Sequence, residues 1–343
     1  MSHRRPTILD LAAEAGVSVA TVNRVLAGSA KVRQATMRRV QDAAERLDFY
    51  GQGSIRSRVE AARPRDRFAV LLQQPGRQFY ESLGRHLRRA ADAVESREIE
   101  LAVRFMEDLS PDRVAAAILA EADRSEGLAV VAADHPLVRE AIQRAVAGGT
   151  PVIGLIAPLS AQCDVGYVGL DNYKVGRTAG WFFDRLCHRR GKIGVLVGNH
   201  RYRNQDLNES GFRSYCREHA PDLTILEPLS TFETAAVARE VTERLLAAHP
   251  DLAGLFISGG GITGALSAVR DLGRAGTLVT LGYELFETTK AALIDGTLTV
   301  AIHHPLETLA AETVESLVRA KTVAGGGAQR TLLKFDIFTR ENI

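Results

Sequence analysis

Residues 7–47 read TILDLAAEAGVSVATVNRVLAGSAKVRQATMRRVQDAAERL, and this stretch spells out three short amphipathic helices. Thr7 is a helix N-cap, after which Ile8, Leu11, Ala12 and Ala15 recur at the i, i+3, i+4, i+7 spacing of one apolar face. Gly16 stands where a helix end wants a residue tolerant of positive φ, and Val17 follows to plug the corner. Ser18 caps a second helix, residues 19 to about 26, with Val22, Val25 and Leu26 inward, and Ala27-Gly28-Ser29 ends it. A third helix, about 34–47, buries Met37, Val40, Ala44 and Leu47. Three helices with one tight glycine-containing turn between the first two form a helix-turn-helix, a unit that lays its second helix in the major groove of DNA.

Charge agrees with that reading. Residues 1–65 hold 12 Lys/Arg against 6 Asp/Glu, whereas the other 278 hold 31 against 35. A basic head on an acidic body is the footprint expected when only the head meets a polyanion. The stretch 7–47 resembles the DNA-binding domain of the LacI/GalR family, with AGVSVATVNRVL in register with both flanking helices. The resemblance implies a homodimer on a pseudo-palindromic double-stranded operator. It makes Val19, Ala20 and Arg24 the base readers: Arg24 suits a bidentate contact to guanine, and the two apolar residues suit a thymine methyl. Ser18, Thr21 and Asn23 then hold phosphates, with Asn23 standing where the family usually has Ser. Thr7, Ser29, Arg56 and Arg58 complete the DNA-binding set.

Residues 49–66 form the link to the rest of the chain. Phe49-Tyr50-Gly51-Gln52-Gly53-Ser54 is turn-rich, Ile55–Val59 is short and basic, and Arg63-Pro64-Arg65-Asp66 marks a boundary. The family has a hinge helix here that wedges a leucine into the minor groove. This chain has Arg58 at that leucine position and Gly51 where a proline is usual.

From residue 67 onward, strand-like runs at 68–72, 100–105, 128–132 and 152–156 alternate with helical stretches at 80–96, 112–125 and 137–147. A second series follows: helices at 176–186, 208–219, 234–248 and 264–272, with strands at 193–197, 223–226, 254–258 and 277–282. Such alternation means α/β, with two doubly wound parallel-sheet subdomains behind a small all-α head. This body resembles the periplasmic sugar-binding-protein fold that LacI-family regulators carry. Val168–Gly176, Gly211-Phe212 and Leu281-Gly282-Tyr283-Glu284 carry the likeness. The expected organisation is a DNA-binding domain at 1–48, a hinge at 49–66 and an effector-binding and dimerisation domain at 67–343. Its first subdomain takes 67–170 and 303–330, its second 171–302 and 331–343.

A sugar offers hydroxyls and apolar ring faces, so its site needs amides, carboxylates or imidazoles beside an aromatic platform. Strand-end loops supply Gln78 and Phe79 after the first strand, Arg203 and Asn208 after Val197, Ser258 and Glu284 after later strands, and His304 at the last crossover. By the resemblance, Asn208 takes the place of a ligand-binding arginine and Glu284 that of an aspartate. Ser258-Gly259 replaces an Asn-Asp pair, and Ile156 a first-subdomain aspartate. The effector is then a sugar, polyol or sugar acid, and it either releases the protein from its operator or recruits it.

Two other function classes compete. Gly259-Gly260-Gly261-Ile262-Thr263-Gly264 matches GxGxxG after a strand, with Glu284 20 residues beyond Gly264, the pattern of a nicotinamide-dependent oxidoreductase. The body alone would also suit a sugar-binding receptor without a transcriptional role. The head has no place in either. No HExxH, GxSxG or P-loop lysine marks an enzyme, no cofactor is called for, and side chains of His303-His304 should diverge on a strand, poor geometry for a shared metal. Cys163, Cys187 and Cys216 lack CxxC spacing and fit a reducing compartment. MSHRRPTILD has no apolar core of a signal peptide and no run is long enough to span a bilayer, so no membrane partner and a cytoplasmic location are expected.

Overall fold

The computed structural model describes residues 4–29, 31–187, 191–322 and 329–343. The chain forms two compact units, Met1–Asp66 with Val94–Glu100, and Arg67–Ala93 with Leu101–Ile343.

In the first unit, α1 (Ile8–Glu14), α2 (Val19–Leu26) and α3 (Gln34–Arg46) stand where the apolar spacing predicts them. Thr7 and Asp10 form a reciprocal capping box on α1, and Ser18 Oγ accepts from Thr21 N on α2. All three helices end alike, with a six-residue return bond across a left-handed residue. Val17 N donates to Ala12 O across Gly16 (φ +60°), Ser29 N to Arg24 O across Gly28 (φ +68°), and Phe49 N to Ala44 O across Asp48 (φ +47°). Arg39 of α3 donates to the carbonyls of Ala15 and Gly16 at 2.7 and 2.8 Å, which pins the turn between α1 and α2.

Where the resemblance places a hinge helix, the chain forms a fourth helix, α4 (Gln52–Ala61), which begins inside the turn-rich stretch 49–54. Its Ile55 and Val59 are buried in the same cluster as Leu11, Val22, Met37, Val40 and Phe49. Two apolar residues four apart share one helix face, and the core left open by α2 and α3 receives them. Residues 52–61 are therefore part of the head's core and not a bare connector.

The second unit begins as an α/β lobe: β1 (Arg65–Leu72), α5 (Gln78–Asp92), β2 (Glu98–Phe105), α6 (Pro111–Ala122), β3 (Leu128–Val130), α7 (Pro136–Ala147), β4 (Val152–Leu155) and β5 (Gly166–Leu170). A second lobe follows: α8 (Asn172–Leu186), β6 (Lys192–Val197), α9 (Arg203–His219), β7 (Thr224–Ile225), β8 (Leu229–Ser230), α10 (Ala235–Ala248), β9 (Leu252–Ile257), α11 (Ile262–Asp271), β10 (Val279–Tyr283), α12 (Glu287–Ile294) and β11 (Val300–His303). The chain then returns to the first lobe as α13 (Leu306–Thr322) and β12 (Arg330–Leu333), and to the second as β13 (Asp336–Phe338). The sheet orders are β12-β5-β4-β3-β1-β2 and β13-β11-β10-β9-β6-β7, with β8 also on β6. Only β13 runs antiparallel among the registered pairs.

Three sequence expectations need correction. Residues 166–170 form a strand, and the crossover helix starts at Asn172, not at 176. Two glycines depress the strand signal there, but Gly169 has to lack a side chain because the Tyr167 ring lies over it. Helix α9 starts at Arg203, five residues before the predicted 208, so Arg203 and Asn208 are helical and not in a loop. The final return to the second lobe falls after residue 333 and not at 331, because Arg330–Leu333 pairs in parallel with Tyr167–Leu170.

Both sheets place their strand-order reversal, β1 beside β3 and β6 beside β9, where doubly wound folds open a crevice at the strand carboxyl ends. Packing fixes one wall of that crevice closely. A β-carbon on Gly176 of α8 would overlap the Asn208 carbonyl, and one on Gly211 of α9 the Tyr173 carbonyl. These two glycines let α8 and α9 touch backbone to backbone, which sets the position of Asn208. Phe183, Phe212 and Phe256 fill the space beside them, all fully buried.

Candidate nucleic-acid interface and effector cleft

The exposed side of α2 carries Ser18, Ala20, Asn23 and Arg24, with Val19 and Thr21 half-buried between them. Val22 and Val25 anchor the opposite side in the core. Ser18 Oγ and Thr21 Oγ1 lie 2.9 Å apart, so the helix start presents two hydroxyls together. Among the described residues no carboxylate pairs with Arg24, which leaves its guanidinium available to a partner. Thr7 sits at the α1 N-cap, and Ser29, half-buried, at the α2 end. Arg56 is exposed and paired with Glu45 at 2.9 Å. Arg58 is half-buried, its guanidinium over Gly28 at the end of α2. An arginine held there extends the cationic edge of the head from α4 to the turn after α2.

In the second unit the strand-end loops of both lobes enclose a cavity of about 440 Å³. Of the seven residues singled out in sequence, Gln78, Phe79, Asn208, Ser258, Glu284 and His304 line it. Arg203 does not. It is exposed on the first turn of α9, close enough to Asp134 to help lower that carboxyl's pKa, after the larger effect of Arg139.

Glu284 is the centre of one wall. Its Oε1 lies 2.5 Å from His304 Nδ1 and its Oε2 2.8 Å from His303 Nδ1. The two imidazoles, expected to diverge, converge instead because β11 ends at His303 and its alternation stops there. Burial would raise the Glu284 pKa. The charge of His304 and the hydrogen bonds from both imidazoles outweigh burial and hold it at about 2. His304 is 4% exposed, its ring centroid is 5.5 Å from that of Phe79, and its Nε2 has no partner.

Asn208, 1% exposed, donates to Ser258 Oγ at 3.4 Å while its Oδ1 is buried without a partner. Asn204 Oδ1 and Tyr283 Oη, also on the cavity, are in the same condition. Each buried, unmatched polar atom costs about 1–3 kcal/mol, so four around one cavity call for a polar ligand. Backbone strain gathers there too. Ile156 (φ +67°), Glu233 (φ +62°) and Glu284 (φ +67°) all line the cavity in a conformation that L-residues avoid. Ile156 is held by Ala157 N donating to Leu155 O at 2.7 Å, a γ-turn.

Sequence reading missed the opposite wall. Arg77 of the first lobe reaches Glu233 of the second at 3.0 Å, and Gln205 Nε2 donates to the other Glu233 oxygen at 2.6 Å. Gln205 Oε1 in turn accepts from Gly198 N at 2.6 Å. Arg77 is adjacent to Gln78 in sequence and could have been included on that ground. Glu233 could not, because its position depends on the conformation of a turn that carries no motif.

The same contacts dispose of the dinucleotide alternative. A β-carbon on Gly260 or Gly198 would overlap the Glu233 carboxylate, and one on Gly264 the Ala235 carbonyl. The glycines of 259–264 make room for Glu233 and α10. A pyrophosphate placed over that loop would meet a carboxylate.

Comparison with known proteins agrees with this geometry. Residues 68–325 match the family model described as periplasmic binding protein domain, and residues 7–52 the model for bacterial regulatory proteins, lacI family. A D-ribose/D-allose-binding protein of Pseudomonas aeruginosa is 26% identical over 178 residues, which are 50% of this chain and 55% of that one. A D-apiose import binding protein of Paraburkholderia graminis is 21% identical over 59% of this chain and 65% of its own length. The chain thus spans less than two thirds of each of these relatives. Among solved structures, GanP, a glucose-galactose binding protein from Geobacillus stearothermophilus, superposes with a TM-score of 0.73 at 16% identity, covering 81% of this chain and 98% of that one. A solute binding protein from Actinobacillus succinogenes with bound D-allose gives 0.71 at 20% identity over 80% and 98%. Among the described residues no helix is long and apolar enough to cross a membrane. With a periplasmic binding protein domain over three quarters of its length behind a lacI-type DNA-binding module, the chain belongs to the LacI family of bacterial regulatory proteins.

Proposed function

We propose that this regulator is a cytoplasmic homodimeric repressor that binds a pseudo-palindromic operator through α2 and changes its operator affinity when a sugar or sugar-like effector fills the cleft. The observation that carries the effector half is the meeting of His304 Nε2, Asn208 Oδ1 and Asn204 Oδ1, all buried and unpartnered, around one cavity with Phe79 on its wall. Hydroxyls of a small polyol satisfy such atoms, and the ring of Phe79 suits an apolar sugar face. The contents of the cleft bear on both lobes, so a ligand with different contacts in two arrangements of the lobes shifts their balance. Coupling of this kind is typically ~1–3 kcal/mol, roughly 5–150-fold in operator affinity.

Genomic footprinting with the purified chain, followed by operator titrations with and without D-ribose, D-allose, D-glucose and D-galactose, tests this. The expected result is a duplex preferred over bulk DNA by about 10³ or more, with an affinity that at least one sugar alters. No preference for any duplex, with or without sugars, would overturn the regulator reading.

A further inference from the structure

Beyond the Arg77–Glu233 pair, between the same two lobes, is a second cavity of about 320 Å³. Arg77 and Glu233 line both cavities, so this one ion pair is the wall they share. We propose that the outer cavity is a subsite for the second ring of a disaccharide or glycoside whose first ring occupies the inner one. The inference rests on the sugar reading of the cleft given above.

The outer cavity has the three elements that a saccharide ring requires. Phe232 lines it and is 67% exposed, a large aromatic surface left without cover. A ring so placed is a platform for the apolar face of a sugar. Aliphatic side chains of the first lobe, Leu109, Val114, Val131 and Val138, form apolar lining, while Asn199 and Arg201 of the second lobe supply polar groups for hydroxyls.

The backbone explains why Phe232 is where it is. Phe232 (φ +50°) and Glu233 (φ +62°) are consecutive non-glycine residues in the left-handed region. Such a conformation is unfavourable for any residue with a β-carbon, and a pair survives only where surrounding contacts hold it. Thr231 N donating to Val197 O at 2.7 Å fixes one side of the turn, and Gln205 and Arg77 hold the Glu233 carboxylate on the other. The strained turn thus sets an acid over the inner cavity and an aromatic in the outer one. Next to it, Asp134 N of the first lobe donates to Arg201 O of the second at 2.7 Å, so the lobes already meet beside this chamber. A glycosidic linkage joining the two rings would pass beside the Arg77–Glu233 pair, a donor and an acceptor at the shared wall.

Calorimetric titration of the full chain with D-glucose, D-galactose and D-xylose against maltose, cellobiose, lactose, melibiose and xylobiose tests the proposal. At least one disaccharide is expected to bind tenfold or more tightly than either of its component sugars. Phe232→Ala should weaken that disaccharide at least tenfold, and at least fivefold more than it weakens a monosaccharide. Phe232→Tyr should restore most of the loss, and a thermal melt should confirm that both variants fold. Disaccharides binding more weakly than monosaccharides, or Phe232→Ala weakening both classes equally, would overturn the second subsite while leaving the sugar reading intact. Failure of every saccharide to bind a chain that still selects an operator would overturn both.

Discussion

The head and the body of this regulator place their proposed site residues in opposite ways. In the head, Ser18, Ala20, Asn23 and Arg24 are neighbours in sequence, lie on one side of one helix and face solvent without strain. In the body, Phe79, Asn208, Glu284 and His304 come from four distant segments and meet around a cavity, with left-handed backbone and buried atoms lacking partners. A surface that reads a long polymer needs only a rigid helix of the right chemistry. A site that encloses a small molecule has to be assembled from both lobes, and its unpaired groups are satisfied only when it is filled.

The contrast is sharpest at Glu284. Glu284→Ala should weaken effector binding by about 100-fold or more, seen as a flat effector titration, because two imidazoles lose their shared acceptor. An unchanged titration would remove Glu284 from the site. Its lowered pKa makes a second forecast. A carboxyl depressed in the folded state stabilises fully above its ordinary value of 4.5 and loses that contribution as pH falls toward about 2. Between urea unfolding at pH 6 and at pH 3, this group should contribute a loss of about 2 kcal/mol, and Glu284→Gln should remove that share.

On the head, Arg24→Ala should cost about 1–3 kcal/mol at one operator position, with much less change on bulk DNA. Equal weakening on every duplex would make Arg24 a phosphate contact. Gly176→Ala should destabilise the body by about 1–3 kcal/mol, because the new methyl meets the Asn208 carbonyl, and should weaken effector binding by moving that residue. Loss of stability without loss of effector affinity would separate Asn208 from the site. The smallest effect belongs to the head again: Asp48→Gly should stabilise it by about 0.5 kcal/mol by relieving a left-handed residue, measured as slower exchange of the Phe49 amide.

The same division governs what the sequence reveals. The first three helices of the head are legible because caps, apolar spacing and, for α1 and α2, end glycines are local signals, each satisfied within about 20 residues. Helix α4 is expected only from the family resemblance, and the burial of its two apolar anchors, Ile55 and Val59, depends on α2 and α3 and has no local signal. In the body, alternation of strands and helices yields the architecture, and strand-end loops yield six of the cavity's residues. It does not yield Glu233, whose turn has no motif, or the reach of Arg77 across the cleft. The glycine run at 259–264 misleads for a physical reason: close approach to a carboxylate and close approach to a phosphate both demand a missing β-carbon.

The edge strand Arg330–Leu333 completes the first sheet from a point more than 150 residues after that sheet's β5. On the ribosome, an emerging chain would therefore finish its DNA reader early and its sensor last. During that interval the helix-turn-helix head is whole while the first sheet of the body still lacks its edge strand.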